Sequence, residues 1–370
     1  MGRNCRVLLV EPYCGGSHAA WVEGLVRYSR HKFEVLSHPG AFWKWRMRGS
    51  ALTLAEEAER VIVKSGEPDV VLVSGMIDLA AWLGFSRRFL GDAPVVLYLH
   101  ENQFGYPLGP RQRIDEGLQL INWISMAVAD EVWFNSAFQH DSLFDLLPNF
   151  LEQFPDHLHI HQLRKVKTNC KVMTVGVELS DISVSVKKTS GKPPLVLWNH
   201  RWDYDKNPSA VFGSLIDLAS EGVEFQLAIT GENTRSNPRE IIEACKNLSD
   251  RLVHVGYLPR PEYTTLLDRV DVVVSASIQE FFGISVVEAI AAGAIPVLPN
   301  RLSYPELVTG DFYDAALYSE GELTSRLRSV LCDLDRWLPL IEGLDRSIRR
   351  FDWSSVVHEY DDRLEYLAFT

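Results

Sequence analysis

A chain of 370 residues with a hydrophobic fraction of 46% has ample core for a globular protein of two or three domains at roughly 150 residues each. Its net charge of −12 argues against a general binder of nucleic-acid phosphates, which needs cationic surface, while leaving room for a local basic patch. No stretch approaches the roughly 18 uninterrupted apolar residues of a membrane span, and the opening MGRNCRVLLVEP reads as a first strand and not as a signal peptide.

Residues 6–11, RVLLVE, read as a buried strand. Gly15-Gly16-Ser17-His18 then lead into a helical pattern over 19–28. Two glycines at a strand-to-helix junction let backbone amides come close to a ligand, and Ser17 serves equally well as an N-cap. A short strand over 33–37 precedes AFWKWRMRG, where Trp43, Lys44, Trp45, Arg46 and Arg48 interleave aromatics with cations. That composition suits an exposed loop that stacks unpaired bases and holds phosphate. It also suits an amphipathic loop whose tryptophans pack on the core while the cations reach water, and composition alone favours this second reading.

Residues 51–64 are helical, 70–74 a strand, 78–89 a helix and 95–99 a strand ending in His100-Glu101-Asn102-Gln103. A structural histidine would account for His100 alone. Four polar residues at a strand's C-terminal end, before the loop FGYP, mark a site instead. A helix over 116–129, a strand over 131–134, a helix from Phe138 and a strand over 171–175 complete the first α/β unit. His157, His159 and His161 alternate in DHLHIHQL at a spacing that puts them on one face of a strand; with no Cys or Glu at ligand spacing, no metal site is expected. Five scattered cysteines without a C-x-x-C pair point to reduced thiols and a cytoplasmic protein.

Residues 180–194, SDISVSVKKTSGKPP, are short of large apolar side chains. They place a linker at 181–194 between a first domain, 1–180, and a second, 195–350. The second begins with a strand over 195–198 and a loop in which Arg201 and Lys206 stand five apart. A diphosphate leaving group needs compensating cations, and such a pair supplies them without a metal; a surface ion-pair cluster with Asp203 and Asp205 is the alternative. Strands over 225–230 and 252–255 each run into a glycine. The stretch 277–299, SIQEFFGISVVEAIAAGAIPVLP, follows a strand over 270–275 with a turn at Gly283, a helix over 286–292 and a strand over 295–298. The amides of Gly283 and Ile284 would lie at a helix N-terminus, where anions are held. Glu280 and Glu288 frame the turn. Carboxylates repel phosphate, so they suit the hydroxyls of a ribose or sugar; as two lone acids they would cap the helix and face solvent. Residues 301–307, RLSYPEL, are expected to close over a ligand, 322–340 to be helical, and 356–367 to form a last amphipathic helix.

Glu280, Phe282-Gly283-Ile284, Glu288 and the following Ala291-Ala292-Gly293 together resemble the donor-binding motif of retaining glycosyltransferases of family 4. Longer phrases in both domains, EPYCGGSHAAWVEGL, AFWKWRMRGSALTLAE, HENQFGYP, FNSAFQHDSL and LWNHRWDYDKNP, resemble the tRNA-queuosine alpha-mannosyltransferase group within it. The resemblance implies an α/β fold of two facing Rossmann-like domains, the GT-B architecture, with the active site in the interdomain cleft and residues 351–370 packing back on the first domain. It implies transfer of mannose from GDP-mannose to a cyclopentenediol hydroxyl of queuosine in a tRNA anticodon loop, with retention. No metal, further cofactor or stable membrane association is expected.

Under this resemblance Glu280 lies near the transferred sugar and Glu288 binds the nucleotide ribose. Arg201 and Lys206 hold the diphosphate, with Phe282, Gly283 and Ile284 beside them. Gly15, Gly16 and the HENQ loop form the facing wall, and His100 is the candidate polar group beside the anomeric centre. Ser17, His18, Glu101, Asn102 and Gln103 fall on the acceptor side. Trp43, Lys44, Trp45, Arg46 and Arg48 become expected RNA contacts, with Lys165, Lys167, Lys171, Lys187 and Lys188 extending the basic surface. The competing readings are a family 4 enzyme with a lipid, glycan or small-molecule acceptor, a sugar-nucleotide epimerase, and a non-catalytic RNA-binding protein.

Overall fold

The computed structural model describes residues 2–107, 113–184, 192–231 and 239–370. The chain divides into two compact units, Met1–Val177 with Trp353–Thr370, and Glu178–Asp352. Among the described residues no helix is long and apolar enough to cross a membrane.

The first unit is built on strands β1 (Arg6–Cys14), β2 (Lys32–Pro39), β3 (Val70–Ser74), β4 (Val95–Leu99), β5 (Glu131–Phe134) and β6 (Cys170–Val172). They pair in the order β2-β1-β3-β4-β5-β6, all parallel. Every residue of β3 and β4 is buried, as expected of strands covered by helices on both faces. Helices α1 (Ser17–Tyr28), α2 (Trp43–Ser65), α3 (Leu79–Leu90), α4 (Glu116–Val128), α5 (Ala137–Leu151) and α6 (Ile160–Thr168) connect the strands. The chain winds from β1 to β2 on one side and to β3 on the other. The C-terminal ends of β1, β3 and β4 therefore meet where strand order reverses, the usual ligand position of open α/β sheets.

The C-terminal helix Trp353–Phe369 packs into this unit through an aromatic plug. A Cβ on Gly24 or Gly176 would fall 2.0 or 2.3 Å from the Trp353 ring, so only glycine leaves that ring its space. Tyr360 Oη receives the Trp21 indole N–H at 3.3 Å and donates to the carbonyls of Met173 and Thr174. Asp361 accepts from the backbone N–H of Arg30 and the hydroxyl of Ser29.

Two expectations change here. Residues 43–49 are the first turns of α2 and not a loop. Met47, Ser50, Ala51, Leu54, Ala55, Ala58 and Ile62 bury one continuous face, so the apolar period already begins at Met47. The alternating histidines are not on a strand either: His157 and His159 take left-handed φ of 48° and 56° in a turn ahead of α6, and His159 Nδ1 accepts the Trp123 indole N–H at 3.1 Å.

The second unit carries β7 (Leu195–Asn199), β8 (Gln226–Thr230), β9 (Leu252–Gly256), β10 (Val272–Val274), β11 (Ile295–Pro299) and β12 (Leu317–Tyr318). They pair in the order β12-β11-β10-β7-β8-β9, again parallel throughout. Helices α7 (Pro208–Ser220), α8 (Arg239–Asn247), α9 (Arg260–Leu267) and α10 (Ile284–Ala291) link them. Residues 301–307 pack against the loop that carries Glu280. Ser303, Tyr304 and Leu307 are buried, and the Ser303 hydroxyl reaches the carbonyls of Glu280 and Phe282 at 3.2 and 2.9 Å, so this segment braces the 277–283 loop. The helix expected over 322–340 breaks at Asp333, whose carboxylate accepts from the Arg336 N–H and caps a new short turn. In the linker, Ile182 is buried and its carbonyl accepts from Arg349 at 2.7 Å, while Lys187 and Lys188 lie outside the described residues.

Candidate active site

In the first unit the polar cluster forms around Glu11, fully buried within β1. Three donors converge on its carboxylate: the Ser74 hydroxyl at 2.8 Å, the Tyr13 backbone N–H at 2.9 Å and His18 Nδ1 at 3.1 Å. His100, immediately after β4, brings Nε2 to 3.7 Å from the same carboxylate oxygen that His18 reaches. The His18 and His100 rings lie 4.0 Å apart between centroids, and the rings of Trp21 and Tyr98 stand edge-on to His100 at 4.8 and 4.7 Å. Burial, reinforced by His18, pushes the His100 imidazole well below its ordinary pKa and keeps it neutral. Its Nε2 is buried without a hydrogen-bond partner among the described residues, while the Asn135 amide fixes its backbone carbonyl at 2.8 Å.

Glu11, His18 and His100 also offer three potential metal-ligand atoms within 4.8 Å of one another. The Glu11–His18 contact is at hydrogen-bond distance, and both carboxylate oxygens are already engaged by donors. The donor set as it stands is that of a hydrogen-bonded cluster.

Gly15 and Gly16 lie beside this cluster. A Cβ on Gly15 would meet the Gly40 backbone at 2.9 Å, and Gly16 has a φ of 53°. Gly16, not Ser17, is the N-cap of α1, which leaves Ser17 exposed on the first turn and His18 buried. In the HENQ segment, the Asn102 side-chain oxygen accepts from the amides of Phe104 and Gly105, and Asn122 holds the Gln103 amide at 2.9 Å. Asn102 thus shapes the loop, while Glu101 and Gln103 remain half-buried.

The aromatic–basic segment divides into two sets. Trp43 packs against the small core cluster of Met47, Met76 and Leu118, with Lys44 Nζ 5.3 Å from its ring centroid. Arg48 makes a two-bonded contact with Asp115 at 2.7 and 2.8 Å, and Arg46 reaches the Pro39 carbonyl at 3.4 Å. Trp45 stands 65% exposed. Lys165 and Lys167 are exposed on α6, and Lys171 lies on β6, at the opposite edge of the sheet from β2, which leads into α2.

In the second unit the ends of β7 and β10 bring Lys206 and Glu280 together. Lys206 is buried, and its Nζ is surrounded by Glu280 Oε2 at 3.0 Å, the Gln279 carbonyl at 2.9 Å and Asp205 Oδ2 at 3.3 Å. Burial alone would raise the Glu280 carboxyl; the adjacent Lys206, helped by His200 and a hydrogen bond from the Phe282 amide, holds it below its usual value. Burial, then Lys206, lowers His200 to about 3. Arg201 is exposed on the same loop. Gly283, with φ 108°, caps α10, whose first backbone bonds run from Val286 and Val287 back to the Gly283 carbonyl. The amides of Gly283, Ile284 and Ser285 thus precede the helix's own bonding. Phe282 is buried edge-on against Phe351 at 5.2 Å.

Glu288 lies on the buried face of α10, where the Arg260 guanidinium is paired with it. The same guanidinium grips Asp181 at 2.7 and 2.8 Å and the Glu178 carbonyl at 2.7 Å. Burial raises the Glu288 carboxyl against the pull of Arg260. The structure therefore groups Lys206, Glu280, Gly283 and Glu288 within one unit, and His18, His100, Gly15 and Gly16 within the other. Sequence reasoning passed over Glu11, Ser74, His200 and Arg260. Glu11 was open to detection: an acid ending an apolar strand, as His100 follows another, is the same signal.

Two parallel six-stranded units with polar clusters at their strand ends are built as in the GT-B fold, and the family matches make the class a glycosyltransferase. Residues 181–333 match the model of glycosyl transferases group 1. Among solved structures, sucrose-phosphate synthase from Thermosynechococcus elongatus superposes with a TM-score of 0.74 at 14% identity, covering 99% of each chain. A glycosyltransferase from Rickettsia africae does so at 0.71 and 14% identity, covering 100% of each. Residues 6–177 match the N-terminal model of tRNA-queuosine alpha-mannosyltransferase. The Drosophila melanogaster protein of that name is 32% identical over 310 residues, 81% of either chain. The chain belongs to the tRNA-queuosine alpha-mannosyltransferase family and is a hexosyltransferase.

Proposed function

We propose that this enzyme transfers mannose from GDP-mannose to a cyclopentenediol hydroxyl of queuosine, at the wobble position of a tRNA, with retention at the anomeric carbon. The observation that carries this reading is the family match of residues 6–177, the unit that holds the His100 cluster and the exposed first turn of α2. The tRNA and the nucleotide sugar are its partners, and the cytoplasm its compartment.

In this reading Glu288 receives the ribose hydroxyls in exchange for Arg260. Lys206 and Arg201 carry the diphosphate, together with the amides of Gly283 and Ile284, while Phe282 packs the turn. Glu280 accepts from a mannose hydroxyl. The bond from the anomeric carbon to the phosphate oxygen breaks with both electrons leaving on GDP. The queuosine oxygen bonds to the same face, and its proton passes to the departing phosphate oxygen. Such a path asks for positioning and charge stabilisation more than acid–base strength, which suits a buried lysine beside a helix N-terminus. His100, neutral, accepts from a sugar hydroxyl through Nε2. Gly15 and Gly16 let the backbone approach the donor, Ser17, His18, Glu101 and Gln103 line the acceptor side, and Lys44, Trp45, Arg46 and Arg48 contact RNA.

The donor side is tested by calorimetric titration with GDP-mannose and UDP-glucose, and by the turnover of Arg201→Ala with and without EDTA. Binding of GDP-mannose alone, a loss of about 100-fold in turnover and indifference to chelation are expected. Wild-type turnover in Arg201→Ala removes the leaving-group assignment.

A further inference from the structure

Helix α2 opens on a residue whose backbone and side chain are both out of the ordinary. Phe42, its N-cap, has φ 56° and ψ 46°, the left-handed conformation that an aromatic L-residue rarely adopts, and no side-chain cap bond accompanies it. Its carbonyl accepts from the amides of Trp45 and Arg46 at 2.8 and 3.0 Å, so the strained turn is locked by the helix it starts. The ring gains no burial in return: Phe42 is 78% exposed. Glycine or asparagine would make this cap with less strain. Such a combination is kept where the side chain works outside the fold.

Trp45, one turn on, is held in a related way. A Cβ on Gly49 would come within 2.8 Å of its indole, so the ring lies against helix backbone that only a glycine leaves bare. That seats the indole on the helix while most of its surface stays in water. The neighbouring Trp43 is packed in the core cluster and takes no such position. Lys44, between the two exposed rings in sequence, is itself exposed at the positive end of the α2 dipole, with its ammonium 5.3 Å from the Trp43 ring centroid.

From this geometry we infer that Phe42 and Trp45 form a two-ring platform on which unpaired bases of an RNA loop stack, with Lys44 taking backbone phosphate. The inference rests on the tRNA reading above and narrows it to two rings, one of them outside the segment's expected contacts. Aromatic rings beside cations are what single-stranded nucleic acid requires, and a stacked base needs only an open π-face. A bilayer is the less suitable occupant. The aromatic exposure is confined to the first turn, and further along α2 the exposed apolar residues, Leu52 and Val63, stand apart with Thr53, Glu56 and Arg60 exposed between them, where a membrane-surface helix needs a continuous apolar stripe rimmed by cations.

The test compares the full-length wild type with Phe42→Ala, Phe42→Gly, Trp45→Ala and, as control, Val63→Ala at the far end of α2. Binding of a queuosine-containing anticodon stem-loop is measured by fluorescence anisotropy at fixed salt, thermal unfolding is followed in parallel, and phosphatidylcholine–phosphatidylserine vesicles serve as a second partner. Each ring deletion should weaken RNA binding about tenfold, while Val63→Ala binds as wild type. Phe42→Gly should melt about 2–4 °C above Phe42→Ala because the left-handed strain is released, and yet bind RNA no better. If the wild type binds the stem-loop and the ring variants bind it equally well, the platform is wrong and the tRNA reading stands. If the wild type binds no RNA, both fail. If vesicle binding, and not RNA binding, tracks the rings, the surface belongs to a membrane.

Discussion

Glu11 gathers a hydroxyl, a backbone amide and an imidazole on one fully buried carboxylate. Glutamine in its place keeps the shape but turns one acceptor into a donor facing donors. Glu11→Gln should therefore release His18 and tilt His100, lowering turnover about 100-fold with far-ultraviolet circular dichroism unchanged. A variant with wild-type turnover would show that His100 is held without Glu11. His200 gives a test in pH. Its pKa is about 3 in the folded protein against an ordinary 6.5, so the unfolded chain binds the extra proton between those values. The neutral form's contribution is fully present above pH 6.5 and is lost as pH falls towards 3, at up to about 1.4 kcal/mol per pH unit for one proton. Denaturant midpoints measured from pH 7 down to 5 should fall, and His200→Gln should flatten that slope. An unchanged slope would mean that other groups set it.

At the scale of the element, the second unit's polar loops depend on one close approach. A Cβ on Gly231, after β8, would lie 2.0 Å from the His200 carbonyl oxygen, and the residue has φ 134°. Gly231→Ala should displace the loop that carries Arg201 and Lys206 and destabilise the protein by roughly 3 kcal/mol. A thermal midpoint within a degree of the wild type would show that the loop relaxes freely. The central strands of the first unit were legible because parallel strands covered on both faces are written as apolar runs: VVLYL, and EVWF after its opening glutamate, are read to the residue. The turn at Gly283 was legible for a similar local reason. What escaped depends on distant partners. Nothing near Arg260 in the sequence says that it meets Glu288 and Asp181, and the start of α2 was obscured because Trp43, Lys44 and Trp45 suit a loop as well as a helix until Met47 is known to be buried.

At the scale of the molecule, the chain's last segment completes the unit formed by its first half. Trp353 fills the space above Gly24 and Gly176, and Tyr360 joins Trp21 to the backbone that follows β6. Since Trp21 also stands against His100, the C-terminal helix supports the candidate site from behind its aromatic wall. Trp353→Ala should cost about 3–5 kcal/mol, as for other buried large-to-small changes, seen as a lowered midpoint in calorimetry. A wild-type midpoint would mean that the helix only rests on the surface.

The account as a whole turns on which molecule receives the sugar. The most direct measurement incubates the purified protein with GDP-mannose, and in parallel with UDP-glucose, on total tRNA that carries queuosine and on tRNA that lacks it, and then weighs the nucleosides. The account predicts one hexose added to queuosine, from GDP-mannose only, and nothing on tRNA without queuosine. Donor hydrolysis with no hexose on any nucleoside would contradict it, leaving a glycosyltransferase with a different acceptor.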